Sequence, residues 1–205
     1  MRRRGLLAAP LLLCGCVSVG IGEQAAAESQ YALRDAGGSA MPRLTQPLVA
    51  ALVLQPSPAD ALADSSAIAY SRHDGEFRFY RLASWTERPV RALPRLLQQR
   101  LEDRGVAGAV GLLGEPLHAD WLLAVGIDTV HHDLREAPGA ARLAVTLELF
   151  DRRRRVRVAR RRFEADVPAA RADSAAAAAA MSQAVARVFD AAVPWLEEEL
   201  RRAPR

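Results

Sequence analysis

The residues whose spacing defines a reaction most clearly are two cysteines, Cys14 and Cys16, near the start of the 205-residue chain. A lipoprotein signal peptidase requires a small residue directly before the cysteine that is acylated, and an aliphatic residue two positions before that. Gly15 and Leu13 meet both requirements for Cys16, whereas bulky Leu13 directly precedes Cys14. We therefore predict that Cys16 becomes the new N-terminus and carries acyl chains such as palmitate.

The residues before the cysteines have the composition of a bacterial export signal. Arg2, Arg3 and Arg4 form a positive segment, and an apolar run follows over residues 5–13, too short for a membrane-spanning helix of about 20 residues. We predict a lipoprotein signal peptide at residues 1–15 and a flexible tether of small and polar residues at 16–29. An ordinary secretory signal cleaved near residues 25–27 is the alternative, but the apolar run ends well before that point.

The residue after the predicted lipidation site indicates which membrane holds the chain. In many Gram-negative bacteria an Asp at this position retains a lipoprotein in the inner membrane, and this chain has Val17 instead. A triacylated cysteine supplies more than the two hydrophobic signals needed for stable anchoring. We therefore expect a domain at residues 30–202 to be lipid-anchored on the periplasmic face of the outer membrane.

The remaining candidates for chemistry indicate no enzyme. His131 and His132 are adjacent, so on a regular strand their rings point to opposite faces and cannot bind one metal ion; we interpret all four histidines as solvated. No nucleophile elbow, phosphate-binding loop or dinucleotide fingerprint occurs. With Cys16 acylated, the mature chain has no thiol for a disulfide or a metal. We expect no catalytic residue, no cofactor and no metal site.

The charge balance argues against a nucleic-acid partner. All 28 basic residues are arginines; removal of Arg2, Arg3 and Arg4 leaves 25 against 24 acidic residues, a mature charge near +1. Two arginine clusters, at residues 152–155 and 160–162, could form a basic ridge facing anionic lipid. Because acidic residues are interleaved with them, we favour an ordinary solvated hairpin.

Hydrophobic periodicity predicts one domain of mixed secondary structure. Helices are expected at residues 87–104 and 173–202, and Asp74-Gly75 is typical of a hairpin turn. The expected strands cover residues 30–34, 44–54, 67–72, 76–82, 106–112, 121–131, 143–149 and 156–167. This order predicts an α+β fold with a mainly antiparallel sheet and two helices packed on one face.

Three local irregularities are also predicted. The side-chain alternation of the last strand changes phase, which indicates a β-bulge near residues 160–162. Asp173 or Ser174 is expected to cap the last helix. Pro194 is expected to kink that helix one turn earlier, near Asp190.

A set of short motifs in the first half resembles a known family. The first motif is a Tyr-x-Leu strand, Tyr31-Ala32-Leu33. A hairpin with two tyrosines follows, at Ile68-Ala69-Tyr70-Ser71 and Phe79-Tyr80. Next come an Ala-Ser-Trp segment, Ala83-Ser84-Trp85, and a helix with a leucine stripe, Leu93, Leu97 and Leu101. This order resembles the ABC-type transport auxiliary lipoprotein family, which includes the lipoprotein of the paraquat-inducible Pqi system. We expect Trp85 to lie in or near the core rather than to bind lipid.

The resemblance implies a function without catalysis. Members of this family work with an ABC transporter permease and ATPase and with an MCE-domain periplasmic protein, in lipid transport between the inner and outer membranes. The implied role is docking to that partner, and a homo-oligomer would suit it. The alternative is a general lipoprotein of outer-membrane or cell-envelope assembly.

Overall fold

The computed structural model describes residues 28–37, 41–57 and 60–203. The predicted signal peptide, Cys16 and nearly all of the tether lie outside these residues. The elements are β1 (Ser29–Tyr31), β2 (Val49–Pro56), β3 (Ala67–His73), β4 (Glu76–Trp85), α1 (Pro89–Arg104), β5 (Ala107–Leu112), β6 (Trp121–Asp133), β7 (Ala140–Asp151), β8 (Val156–Pro168) and α2 (Ser174–Arg202).

Strand β6 is the centre of one eight-stranded sheet. One edge of β6 pairs with β7 along its whole length, and β7 pairs in turn with β8. The other edge is shared: its first residues pair with β2, and its last residues, His132 and Asp133, pair with β3. Strand β5 extends the β2 side, whereas β4 and β1 extend the β3 side.

The α+β class is confirmed, but the prediction of a mainly antiparallel sheet is wrong. Four of the seven strand pairings are parallel, and only β3–β4, β6–β7 and β7–β8 are antiparallel. Parallel neighbours need a crossover connection, and α1 supplies one by carrying the chain from β4 to β5 beside β2. Side-chain alternation is the same in both directions, so it carries no information on strand polarity.

Both helices pack against the sheet and contact each other, and together they enclose one core. Pro89 begins α1, and Gly105 ends it in the left-handed conformation at φ 72°. The carboxylate of Asp173 accepts a hydrogen bond from the amide of Ala176 at 2.8 Å, which confirms the predicted cap of α2. The helix continues through Pro194; the predicted kink stays a prediction.

The predicted phase change in the last strand is confirmed, but it lies slightly earlier than expected. Arg157 pairs with Phe150 and Ala159 pairs with Leu149, so Val158 is the extra residue. A second register shift lies in β6 beside Asp128. Beyond it Val130 faces the core, as Ile127 does before it, so the core face of this long strand stays apolar as far as Val130.

A buried arginine joins three separate parts of the core. The Arg100 guanidinium, on α1, donates to both oxygens of Asp35 at 2.6 Å and to Asp190 of α2 at 2.7 Å. Its side chain is 4% exposed. Nearby, Arg104 of α1 donates to Glu197 of α2 at 2.6 Å. The contact between the two helices is therefore fixed by ion pairs as well as by apolar packing.

We predict that Arg100→Ala lowers the free energy of unfolding by about 3 kcal/mol or more, because it leaves the half-buried Asp35 carboxylate without its cation. Chemical denaturation followed by circular dichroism measures this change. Arg95→Ala is the matched control on the same helix. Arg95 pairs with Glu87 in an exposed ion pair, so its loss costs about 1 kcal/mol at most. Equal effects of the two variants would contradict the assigned role of Arg100.

Candidate functional surface

The helices cover one face of the sheet and leave the other face open. Along β6, Leu123, Val125 and Ile127 are in the core beneath the helices, and Leu122 and Ala124 alternate with them onto the open face. Within the described residues the open face is therefore available to a partner.

The arginines of the open face are neutralised by acids on neighbouring strands. Arg157 and Arg160 both pair with Glu148, at 2.9 and 3.2 Å. Arg162 pairs with Asp128 and Glu164, at 3.3 and 2.5 Å. These cross-strand ion pairs support the interpretation of a solvated hairpin rather than a basic ridge, because little net charge remains on the β7–β8 surface.

Strand β4 carries an exposed apolar patch. Phe77, Phe79 and Leu82, hereafter the β4 patch, are 43%, 47% and 53% exposed. The Phe77 ring contacts the edge of His131 on β6, with 5.1 Å between ring centroids, so the two phenylalanines lie on the open face. Strand alternation places the two rings on one face, but it does not show that no element of the described chain covers them.

A groove lies at the opposite end of β6. Its apolar lining comes from Leu122, Ala124 and Phe150, and Arg152 and Arg155 stand at its end. Its volume is about 520 Å³. Arg152 also donates a hydrogen bond to the carbonyl of Ala119 at 2.9 Å, which holds the β7–β8 turn against the sheet. We call this feature the Phe150 groove.

The tyrosine motif of the sequence has a structural role. The Tyr80 hydroxyl lies 2.8 Å from Nδ1 of His132, and the Tyr70 ring packs against Tyr80 with 4.8 Å between centroids. Trp85 is 5% exposed within the core, which confirms its predicted place. These rings attach the β3–β4 hairpin to the end of β6.

The two adjacent histidines do point to opposite faces, as predicted. His131 contacts Phe77 on the open face, whereas His132 contacts Tyr80 and is only 1% exposed. The interpretation of all four histidines as solvated is therefore wrong for His132. The sequence does not show that the β3–β4 hairpin packs beside the end of β6, and this packing is what buries the ring.

Burial and ion pairing shift the proton affinities at this end of the sheet. Burial lowers the pKa of His132, against an opposing effect of the Pro138 carbonyl. Burial raises the pKa of Tyr80 to about 12. Hydrogen bonds from Arg135 lower the pKa of Asp133 to about 2. The carboxylate therefore stays charged at neutral pH, and the Tyr80–His132 pair stays neutral.

The described residues hold no feature of a metal or membrane-spanning site. Within residues 28–37, 41–57 and 60–203, no group of three His, Cys, Asp or Glu side chains is arranged to bind a metal ion. In the same ranges no helix is long and apolar enough to cross a bilayer. The one site residue predicted from sequence, Cys16, lies outside them.

We predict that the free energy of unfolding falls as the pH drops below about 6.5, the ordinary pKa of histidine. The unfolded chain then takes up a proton at a higher pH than folded His132 does, so acid favours unfolding. Denaturant titrations at several pH values measure this slope. Burial lowers the pKa of His131 in the same way, so His132→Gln should reduce the slope, and the double change with His131→Gln should flatten it. His118→Gln, at an exposed position, is the control. An unchanged slope in His132→Gln would contradict the assignment.

Comparison with known proteins agrees with this architecture. Protein XCC0632 from Xanthomonas campestris is 25% identical, with a TM-score of 0.73 over 83% of this chain and 96% of that one. An uncharacterized protein at 16% identity shares the fold, with a TM-score of 0.62 over 83% and 99% of the two chains. No curated protein matches the sequence. The model of one family, the ABC-type transport auxiliary lipoprotein component, matches residues 31–193, and the chain belongs to that family.

Proposed function

We propose that this chain is a non-enzymatic, lipid-anchored periplasmic accessory of an ABC transport system that moves lipids between the inner and outer membranes. It acts by docking to a partner, an MCE-domain periplasmic protein that works with the transporter permease and ATPase. The observation that carries the proposal is the family match over residues 31–193. This range begins at the last residue of β1 and ends within α2, so it includes β2 to β8, the whole of α1 and most of α2.

The anchor in this proposal is acylated Cys16. Residues 1–15 are the signal that is removed, residues 16–29 are the tether, and residues 30–202 form the docking domain. Val17, rather than Asp, after the modified cysteine favours the outer membrane. The lipid then fixes the domain at the membrane where cargo would arrive or leave.

A role without catalysis fits the way this domain uses its charged residues. Among the described residues three carboxylates are buried. Glu197 accepts hydrogen bonds from the Arg104 and Arg201 side chains, and Asp133 from the Arg135 side chain. Asp151 accepts from the backbone amide of Arg154. Burial disfavours the charged form of Glu197, but these hydrogen bonds outweigh burial and lower its pKa. A carboxylate held in this state is a poor general acid or base at neutral pH.

The Phe150 groove is the surface that we assign to the partner. Its apolar lining would be desolvated by an apolar side chain, and the arginines at its end favour an acidic neighbour on the same segment. The groove is on the open face of the sheet and far along β6 from the β4 patch. A partner segment that combines an apolar residue with Asp or Glu is therefore the expected occupant.

We predict that the full-length lipidated protein captures the MCE-domain protein from the same organism, and that Arg155→Glu weakens this binding by about tenfold, equivalent to about 1.4 kcal/mol. Biolayer interferometry with the purified partner measures the dissociation constant. Arg153→Glu is the matched control, because Arg153 is in the same turn but does not line the groove.

Two outcomes would contradict parts of this proposal. Equal loss of binding in Arg155→Glu and Arg153→Glu would show that the groove is not the binding site, although the MCE-domain protein is the partner. Stable capture of outer-membrane assembly proteins, with no binding of the MCE-domain protein, would instead support a general envelope-assembly lipoprotein.

We predict that Cys16→Ala abolishes both lipidation and partition into the outer-membrane fraction, because the modified sulfur is absent. Metabolic labelling with a palmitate analogue and density fractionation measure these two properties. Cys14→Ala is the matched control and should keep both. The reverse pattern would move the cleavage site to Cys14.

A further inference from the structure

We infer that the β4 patch rests on the bilayer that holds Cys16, with Phe77, Phe79 and Leu82 among the lipid head groups. The protein then has a second, non-covalent membrane contact that fixes the orientation of the domain. This inference rests on the lipid anchor of the proposed function, and it concerns residues that the anchor itself does not involve.

The direction in which the chain enters the sheet is the first argument. β1 runs parallel to β4, with Ser29 beside Ala83 and Gln30 beside Ser84. In a parallel pair, the chain before Ser29 leaves toward the earlier residues of β4, which are Leu82 and then Phe79. The route back to the anchor therefore begins at the strand that carries the patch.

The length of the connecting chain is the second argument. Glu28, the first described residue, is twelve positions after Cys16 (28 − 16). Twelve residues of chain cannot span more than about 40 Å, and a random coil of that length has a root-mean-square span of about 20 Å. Phe79 is four residues from Ala83 along β4, a distance of about 13 Å. The anchor thus keeps the patch within a short distance of the membrane surface.

The charges around the patch are the third argument. Arg81 lies between Phe79 and Leu82 on β4, whereas Arg72 of the neighbouring strand packs over the Tyr70 ring, 5.8 Å from its centroid, on the opposite face. Within the described residues Arg81 forms no ion pair with a carboxylate, in contrast to Arg157, which pairs with Glu148 on β7. Exposed aromatic rings beside an arginine that is not neutralised are the combination that binds the interface of an anionic bilayer.

Other exposed apolar residues lack these features. Val156 and Val158 of β8 are 47% and 36% exposed, but they flank the β7–β8 turn, at the end of the sheet away from β4. Their neighbour Arg157 is neutralised by Glu148. They therefore supply a control surface of equal exposure with no expected membrane contact.

The test places an environment-sensitive fluorophore on the full-length acylated protein in vesicles of phosphatidylethanolamine and phosphatidylglycerol. Phe79→Cys supplies the thiol for labelling, since the Cys16 sulfur is acylated in the mature chain. Val156→Cys is the matched control, because Val156 and Phe79 are equally exposed at 47%. We expect a blue shift and several-fold quenching by nitroxide-bearing lipid for the Phe79 probe, with neither effect for the Val156 probe.

A second experiment removes the phenylalanine rings of the patch and keeps a probe beside them. With the label introduced through Leu82→Cys, the added changes Phe77→Ser and Phe79→Ser should reduce lipid quenching several-fold, while far-ultraviolet circular dichroism stays unchanged. If the dichroism changes instead, the comparison of the Phe79 and Val156 probes alone decides the question.

The outcomes distinguish this inference from the anchor. If the protein sediments with vesicles but the Phe79 probe is not quenched, the inference is wrong and the anchor remains. If the protein does not sediment, the anchor of the proposed function fails as well. A blue shift without lipid quenching that increases with protein concentration would assign the patch to a second copy of the chain, and would overturn the membrane contact.

Discussion

The fold depends on one constraint, the division of a single edge of β6 between two neighbours. β2 occupies the start of that edge and β3 the end, whereas β7 occupies the whole opposite edge. The register shift beside Asp128 returns Val130 to the face that Ile127 occupies. The core face of β6 therefore stays apolar as far as Val130, and the pairing with β3 begins at His132. The two ends of the sheet are thereby built from different strands.

This division explains which features could be predicted from the sequence. The Asp74-Gly75 turn, the leucine stripe of α1 and the Asp173 cap are local patterns, and each is found where it was expected. Strand polarity and the burial of His132 depend on which strands become neighbours, and no local pattern contains that information. The bulge at Val158 could be predicted only in part. Side-chain alternation shows that a phase change occurs, but it defines the position of the change only to within a few residues.

The same reasoning applies to the candidate surfaces. The proposal of Cys16 as the lipidated residue rests on its sequence neighbours Leu13 and Gly15 alone, and it lies outside the described residues. The Phe150 groove joins residues of β6 with residues of β7 and its turn, so only the strand register reveals it. The β4 patch could also be predicted only in part. Alternation places Phe77 and Phe79 on one face, but their exposure follows from the absence of any covering element on that face among the described residues.

The distribution of charge gives the open face two unlike ends. On the open face of β7 and β8 the arginines at 157, 160 and 162 have acidic neighbours, so this region carries little field, and lipid head groups have no electrostatic reason to prefer it. At the β4 end, Arg81 remains beside exposed phenylalanine rings. About nine residues of β6 separate His131, which contacts Phe77, from Leu122 in the groove, a distance of about 30 Å. The β4 patch and the Phe150 groove are therefore separate regions of the open face, and the lipid contact and the partner contact that we propose use different residues.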